Sequence, residues 1–183
     1  MDSFIIRKSG RLRGRISISG AKNAMLPLMA ASILAEGKSV FDNIPDLRDR
    51  RTMARLLEML GVRVEFADSR LTADASSIES EEAPYSLVKQ MRASIYVLSP
   101  LLARQGHARV SLPGGCAWGP RPIDQHLKGL TALGARIKID HGYIEASAKK
   151  LRGAEIILAV PSVGATVNIM MAAVMAEGKT VIE

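Results

Sequence analysis

The chain has 183 residues, 48% hydrophobic and 23% charged, an ordinary globular balance whose length suits one domain or one domain with part of another. Only 4% are aromatic, so the core is expected from Leu, Ile, Val, Met and Ala. The net charge of +7 fits a nucleic-acid face, a phosphorylated small-molecule ligand or a solvated basic surface; the scattered Lys and Arg lack interleaved stacking aromatics or a nucleic-acid motif, which argues against the first.

Met1 to Gly10 contains Arg7 and Lys8 but no apolar run long enough for a signal peptide. The first long apolar stretch, Ala24 to Ala35, contains Pro27 and falls short of the about 20 residues that a membrane-spanning helix needs. No membrane or nucleic-acid partner is expected. A single cysteine cannot close an internal disulfide, so a reducing, cytoplasmic setting is expected.

In chain order, the first apolar stretch is predicted helical and to end at Gly37, with a short strand after it. A loop carrying Pro45 leads to an amphipathic helix ending at Gly61, and Val62 to Phe66 opens a hairpin that turns near Asp68-Ser69. The pattern then returns. A helix ends at Gly106, a strand and a loop carrying Pro113 follow, a second helix ends at Gly134, and Ile137 to Asp140 turns at His141-Gly142. A last apolar helix is expected to end at Gly178, with a strand beginning before Glu183.

The return is also a repeat of letters. Ile33-Leu34-Ala35-Glu36-Gly37-Lys38-Ser39-Val40 reappears as Val174-Met175-Ala176-Glu177-Gly178-Lys179-Thr180-Val181, with Leu102-Ala103-Arg104-Gln105-Gly106 as a looser middle copy. The expected fold is therefore α+β, built from βαβαββ units, two complete and a third truncated, and the chain is expected to be a piece of a longer protein. The same offsets carry Asn23 onto Arg92 and Gly164. Units packed about a pseudo-threefold axis would gather these helix starts at one end, where N–H groups and partial positive charge attract anions. Lys22 and Arg92 add full charges there, and Ser162-Val163-Gly164-Ala165 adds backbone donors and a hydroxyl. A cation at a helix start is mildly unfavourable unless an anion answers it, which favours an anion site over solvated side chains.

Pro113-Gly114-Gly115-Cys116-Ala117-Trp118-Gly119-Pro120-Arg121-Pro122 holds three glycines and three prolines in ten residues, the composition of an irregular exposed loop. A lone cysteine is commonly an inert core residue. Beside glycines, with Arg121 and Lys22 near, Cys116 instead suits a reactive thiol, as nucleophile or as proton donor. Arg121 suits bidentate phosphate contact, and Asp124 suits hydroxyl or amide recognition. His126 reads as a residue on the surface of the next helix. No metal-ligand spacing and no nucleotide-binding glycine fingerprint is present, so no metal or cofactor is expected.

Gly20-Ala21-Lys22-Asn23-Ala24, Lys89-Gln90-Met91-Arg92-Ala93-Ser94, Leu112-Pro113-Gly114-Gly115-Cys116, Arg121-Pro122-Ile123-Asp124 and Ser162-Val163-Gly164-Ala165-Thr166 together resemble the UDP-N-acetylglucosamine 1-carboxyvinyltransferase family, from about Phe4 to Glu183. The resemblance implies an α/β prism (an inside-out α/β barrel) and an enolpyruvyl transfer from phosphoenolpyruvate to the UDP-sugar 3-hydroxyl, the first committed step of peptidoglycan synthesis. It implies that residues 1–19 belong to a second domain, that 20–183 form an incomplete catalytic domain, and that a C-terminal half completes the enzyme. Matched position by position, Lys22 and Asn23 would contact phosphoenolpyruvate, and Cys116 would be the proton-donating thiol that fosfomycin alkylates. Lys22 and Arg121 would share the catalytic work. Arg92 and Arg121 would bind substrate anions, while Pro122, Ile123, Asp124, Gln125, Ser162, Val163 and Gly164 would line the UDP-sugar site. Two departures are Val160, where some members carry Lys, and Trp118, often a smaller aliphatic residue. The sister transferase for shikimate 3-phosphate shares the implied fold but, as a family, not the Cys loop or the Lys-Asn pair. A non-catalytic binding fragment is the other alternative.

Overall fold

The structure, a computed structural model, describes residues 3–112 and 123–183. Helix α1 (Lys22–Ala31) runs into a 3-10 turn at Ser32–Leu34. Its apolar residues Met25, Leu26, Met29 and Ala30 are buried, as is Pro27 in its middle; the missing N–H of that proline leaves the helix one hydrogen bond short. Strand β1 (Lys38–Phe41) follows, then α2 (Arg48–Met59). Thr52, Met53, Leu56 and Leu57 are buried at the i, i+1, i+4, i+5 positions of one α2 face, the spacing of an amphipathic helix against a core. Strands β2 (Arg63–Ala67) and β3 (Arg70–Asp74) close the first unit. Asp68 and Ser69 between them both have positive φ, 49° and 59°, the geometry of a two-residue type I′ hairpin turn.

The second unit begins with β4 (Glu82–Ala83), a short helix α3 (Tyr85–Val88) and a 3-10 turn at Arg92–Val97 that leads into α4 (Leu98–Gln105). Gly106 ends α4 at φ 75°, a left-handed cap that a side chain would resist. Then come β5 (His107–Ser111), α5 (Asp124–Ala132), β6 (Arg136–Asp140) and β7 (Tyr143–Ser147). The last elements are β8 (Glu155–Ile156), α6 (Val163–Ala173) and β9 (Val181–Ile182).

Three sheets result, ordered β1-β3-β2, β4-β5-β7-β6 and β8-β9. Within the second, β4 runs parallel to β5 while β7 pairs antiparallel with both β5 and β6. The strands alternate: Leu71 and Ala73 of β3, and Ile144 and Ala146 of β7, are buried, whereas their neighbours are not. The faces so formed cover helices that pack on one another. α4 contacts α6, α5 contacts α6, and α1 contacts α2, α6 and the Arg92–Val97 turn. Met29, Ile33, Leu98, Leu101, Ala165 and Ile169 fill the interior between them.

Among the described residues the repeat is less complete than expected. Only the second unit shows all of βαβαββ. The first lacks a leading strand, and residues 3–19 form no regular element. Leu12, Ile16 and Ile18 alternate as a strand would, yet all are more than 80% exposed, so no core contact fixes them. The glycine stops are also shifted. α1 and α6 end at Ala31 and Ala173, before Gly37 and Gly178, because each finishes in a tighter turn. No helix of the described residues is long and apolar enough to cross a membrane.

Candidate functional site

Helix α1 opens with Lys22 and Asn23, the 3-10 turn before α4 opens with Arg92, and α6 opens with Val163 after its N-cap Ser162. Because these elements pack together, all five residues, with Gly164, line one cavity of about 570 Å³ that also takes in Asp49, Tyr96 and His126. Six of the sequence-predicted site residues thus come together: Lys22, Asn23, Arg92, Ser162, Val163 and Gly164. The Ser162 hydroxyl accepts from Ala165 N at 3.2 Å, and the Thr166 hydroxyl donates to Ser162 O at 2.9 Å. This ties down the first turn of α6. The N–H groups of Val163 and Gly164 have no partner within a helix that starts there, so the cavity receives backbone donors and the positive end of an 11-residue helix.

Lys22 is answered by a carboxylate. Its Nζ lies 3.0 Å from Asp49 Oδ2 in the first turn of α2, so the cation at this helix start is compensated by a protein group that the sequence reading had not paired with it. Two side chains at 50% and 33% exposure hold such a pair only weakly in water, which leaves Lys22 exchangeable toward a ligand anion. Arg92, exposed, sets the local field. Tyr96 is pushed upward by burial, with Arg92 opposing.

His126 was expected on a helix surface and is buried, 5% exposed. α5 is clamped between its own sheet and α6, which turns the ring inward, where Asn168 of α6 meets Nδ1 at 2.9 Å. Burial lowers its pKa from 6.5 to about 4; Arg92 adds to the shift and Asp124 opposes it. The ring is neutral at pH 7. Neighbouring Gln125 is also buried. It accepts from Ala159 N at 3.0 Å and donates to Asp124 Oδ2 at 2.7 Å, joining α5 to the stretch before α6. Ile123, Asp124 and Gln125 are not among the residues lining this cavity. Val160 is 57% exposed. Cys116, Trp118, Arg121 and Pro122 lie outside the described residues.

The reading of the sequence missed Asp49, Tyr96 and His126. Asp49 carried a usable signal, since an acidic residue in the first turn of a helix is placed to face a cation. Tyr96 and His126 carried none, because their burial comes from partners far along the chain.

What this arrangement suits is an anionic ligand with several oxygens: two cations, a helix start, a neutral imidazole and a phenol around one opening. Comparisons with known proteins give the family and the fold. Residues 6–183 match the family model of EPSP synthase (3-phosphoshikimate 1-carboxyvinyltransferase). The chain is 54% identical over 183 residues to UDP-N-acetylglucosamine 1-carboxyvinyltransferase 2 of Carboxydothermus hydrogenoformans, and 54% identical over 184 residues to UDP-N-acetylglucosamine 1-carboxyvinyltransferase of Trichlorobacter lovleyi. In both cases 100% of this chain is covered and 44% of the relative, so the chain spans less than half the length of these curated relatives. Among solved structures, the enolpyruvyl transferase NikO from Streptomyces tendae superposes with a TM-score of 0.80 at 22% identity, covering 94% of this chain and 41% of that one. EPSP synthase from Acinetobacter baumannii superposes with a TM-score of 0.70 at 19% identity, covering 92% and 40%. At those identities the likeness concerns the fold.

Proposed function

Because the chain belongs to the EPSP synthase family of carboxyvinyltransferases, we propose that the protein it is part of transfers the enolpyruvyl group of phosphoenolpyruvate to the 3-hydroxyl of UDP-N-acetylglucosamine. Phosphate leaves, and the product enters peptidoglycan synthesis in the cytoplasm. The observation that carries the reading is the meeting of Lys22, Asn23, Arg92 and Ser162-Val163-Gly164 on one cavity. The relatives at 54% identity, whose names specify the UDP-sugar, favour that acceptor over shikimate 3-phosphate.

The chemistry is addition followed by elimination. The sugar O3 forms a bond to C2 of phosphoenolpyruvate as its hydroxyl proton passes to a base supplied by the rest of the enzyme, while C3 takes a proton, which we assign to Cys116. The C2–O bond to phosphate then breaks, C3 gives up a proton, and the vinyl ether remains. Lys22 and Arg121 balance the phosphate and carboxylate, Asn23 orients phosphoenolpyruvate, and Arg92 with the start of α6 holds the UDP-sugar diphosphate. Pro122, Ile123, Asp124 and Gln125 complete the sugar-nucleotide side. Groups fixed in advance around developing charge are commonly the largest catalytic contribution. In this proposal the fold is an α/β prism, residues 1–19 pair with a second domain, 20–183 make up most of the catalytic domain, and the 183 residues by themselves turn over little or not at all.

The test is covalent labelling of Cys116 by fosfomycin, read by mass spectrometry with and without UDP-N-acetylglucosamine. The expected outcome is a single adduct at Cys116 that forms faster with the UDP-sugar present. A thiol that stays unmodified with the UDP-sugar bound would refute the reading.

A further inference from the structure

The buried pair His126 and Asn168 has no part in the chemistry above, and its geometry is specific. Asn168 is 0% exposed. Its Nδ2 lies 2.9 Å from His126 Nδ1 and 3.5 Å from the carbonyl oxygen of Ile95. A carbonyl only accepts, so the Asn168 group turned toward Ile95 is the amide NH2 and not its oxygen. The same NH2 therefore donates to Nδ1, and a neutral imidazole whose Nδ1 accepts carries its proton on Nε2. Among the described residues Nε2 has no hydrogen-bond partner, although His126 lines the cavity.

Nε2 looks onto Gly164. A Cβ added at that position would stand in ordinary van der Waals contact with both, 3.4 Å from Nε2 and 3.6 Å from the Tyr96 hydroxyl, and would occupy the gap between them. The imidazole N–H, the phenol and the opening N–H groups of α6 therefore converge on one spot that glycine keeps open. Lys22 and Arg92 supply charge to the same cavity. A neutral donor held in place suits an anionic oxygen arriving there, since no reorientation is needed when the bond forms.

We propose that His126 is a ligand-binding residue, donating from Nε2 to a phosphate oxygen held at the start of α6, and that Asn168 is the positioning residue that fixes its tautomer. That the phosphate belongs to a UDP-sugar rests on the function proposed above; the donor and its direction rest on the Asn168 and Ile95 contacts.

The experiment is 15N NMR of the histidine-labelled chain at pH 7, alone and then titrated separately with UDP-N-acetylglucosamine and with inorganic pyrophosphate. The expected spectrum for His126 is that of a neutral ring with a bare Nδ1 and a protonated Nε2, with Nε2 shifting on titration. A proton on Nδ1, a doubly protonated ring, or an Nε2 that neither probe moves overturns the proposal. A response to pyrophosphate but not to the UDP-sugar upholds this inference and refutes the acceptor assigned above. Calorimetry of the probe that binds supplies a second readout. His126→Phe is expected to weaken it about tenfold to a hundredfold, the loss of a hydrogen bond to a charged group. His126→Gln, which can present an amide N–H in place of Nε2–H, is expected to recover most of the affinity. Equal affinity of His126→Phe and the unaltered chain would overturn the contact even if the tautomer is as stated.

Discussion

Acid unfolding isolates the buried imidazole. His126 is 5% exposed and its pKa is lowered from 6.5 to about 4, chiefly by burial, with Arg92 adding to and Asp124 opposing the shift. As pH falls, the unfolded chain takes up a proton at this ring before the folded chain does, so protonation pulls toward unfolding. The contribution is therefore intact above pH 6.5, declines as pH falls from 6.5 to about 4, and is gone below that. At about 1.4 kcal/mol per pH unit, the gap between 6.5 and about 4 corresponds to roughly 3 kcal/mol. Urea unfolding measured across this range, for the chain and for His126→Gln, gives the term by difference. The carboxyls of Asp46, Asp74 and Asp140, all held below their usual range by hydrogen-bonding partners, titrate alike in both proteins and cancel. The chain is expected to lose on the order of 3 kcal/mol more than the variant between pH 6.5 and 4. Parallel profiles would mean that the ring is solvated or already charged when folded, and would refute the reasoning.

Three further outcomes follow from other parts of the fold. Arg104 Nη1 donates to the carbonyls of Ile33, Ala35 and Ala75 at 2.8, 3.2 and 2.7 Å, tying the end of α4 to the first unit. Arg104→Met should cost about 2–3 kcal/mol in urea unfolding, because these half-buried acceptors lose a charged donor, and Arg104→Lys should cost less. A Cβ at Gly153 would overlap the Lys179 backbone, so Gly153→Ala should destabilise by about 1–3 kcal/mol and speed hydrogen exchange at β8 and β9. Asp49→Asn removes the partner of Lys22. It should change stability by less than about 1 kcal/mol and tighten inorganic phosphate binding measured by calorimetry.

Much of this architecture was legible in the sequence where the information is local. The turns at Asp68-Ser69 and His141-Gly142 were legible because short polar residues and glycine accept positive φ. The equivalence of the helix starts was legible because a repeat preserves spacing, and Lys22, Arg92 and Val163 open their elements within a residue of the expected offsets. What escaped was non-local. β4 and β8 are two residues long, too short for a period to register, and exist through pairing with β5 and β9. Arg92 opens a 3-10 turn where an α-helix was expected, and the full α-helical geometry starts at Leu98. A histidine in a helix is ordinarily a surface residue; here the packing of α6 on α5 buries it, and its partner Asn168 is 42 residues away. The bonds of the Gln125 side chain to Asp124 and to Ala159 N, 34 residues on, were likewise not legible.

The central claim concerns which acceptor the enolpyruvyl group reaches. The most direct measurement is inorganic phosphate released by the whole protein that carries this chain, supplied with phosphoenolpyruvate and either UDP-N-acetylglucosamine or shikimate 3-phosphate. Release with the UDP-sugar alone, abolished by Lys22→Ala, is the expected result. Release with shikimate 3-phosphate alone, or with neither acceptor, would contradict it.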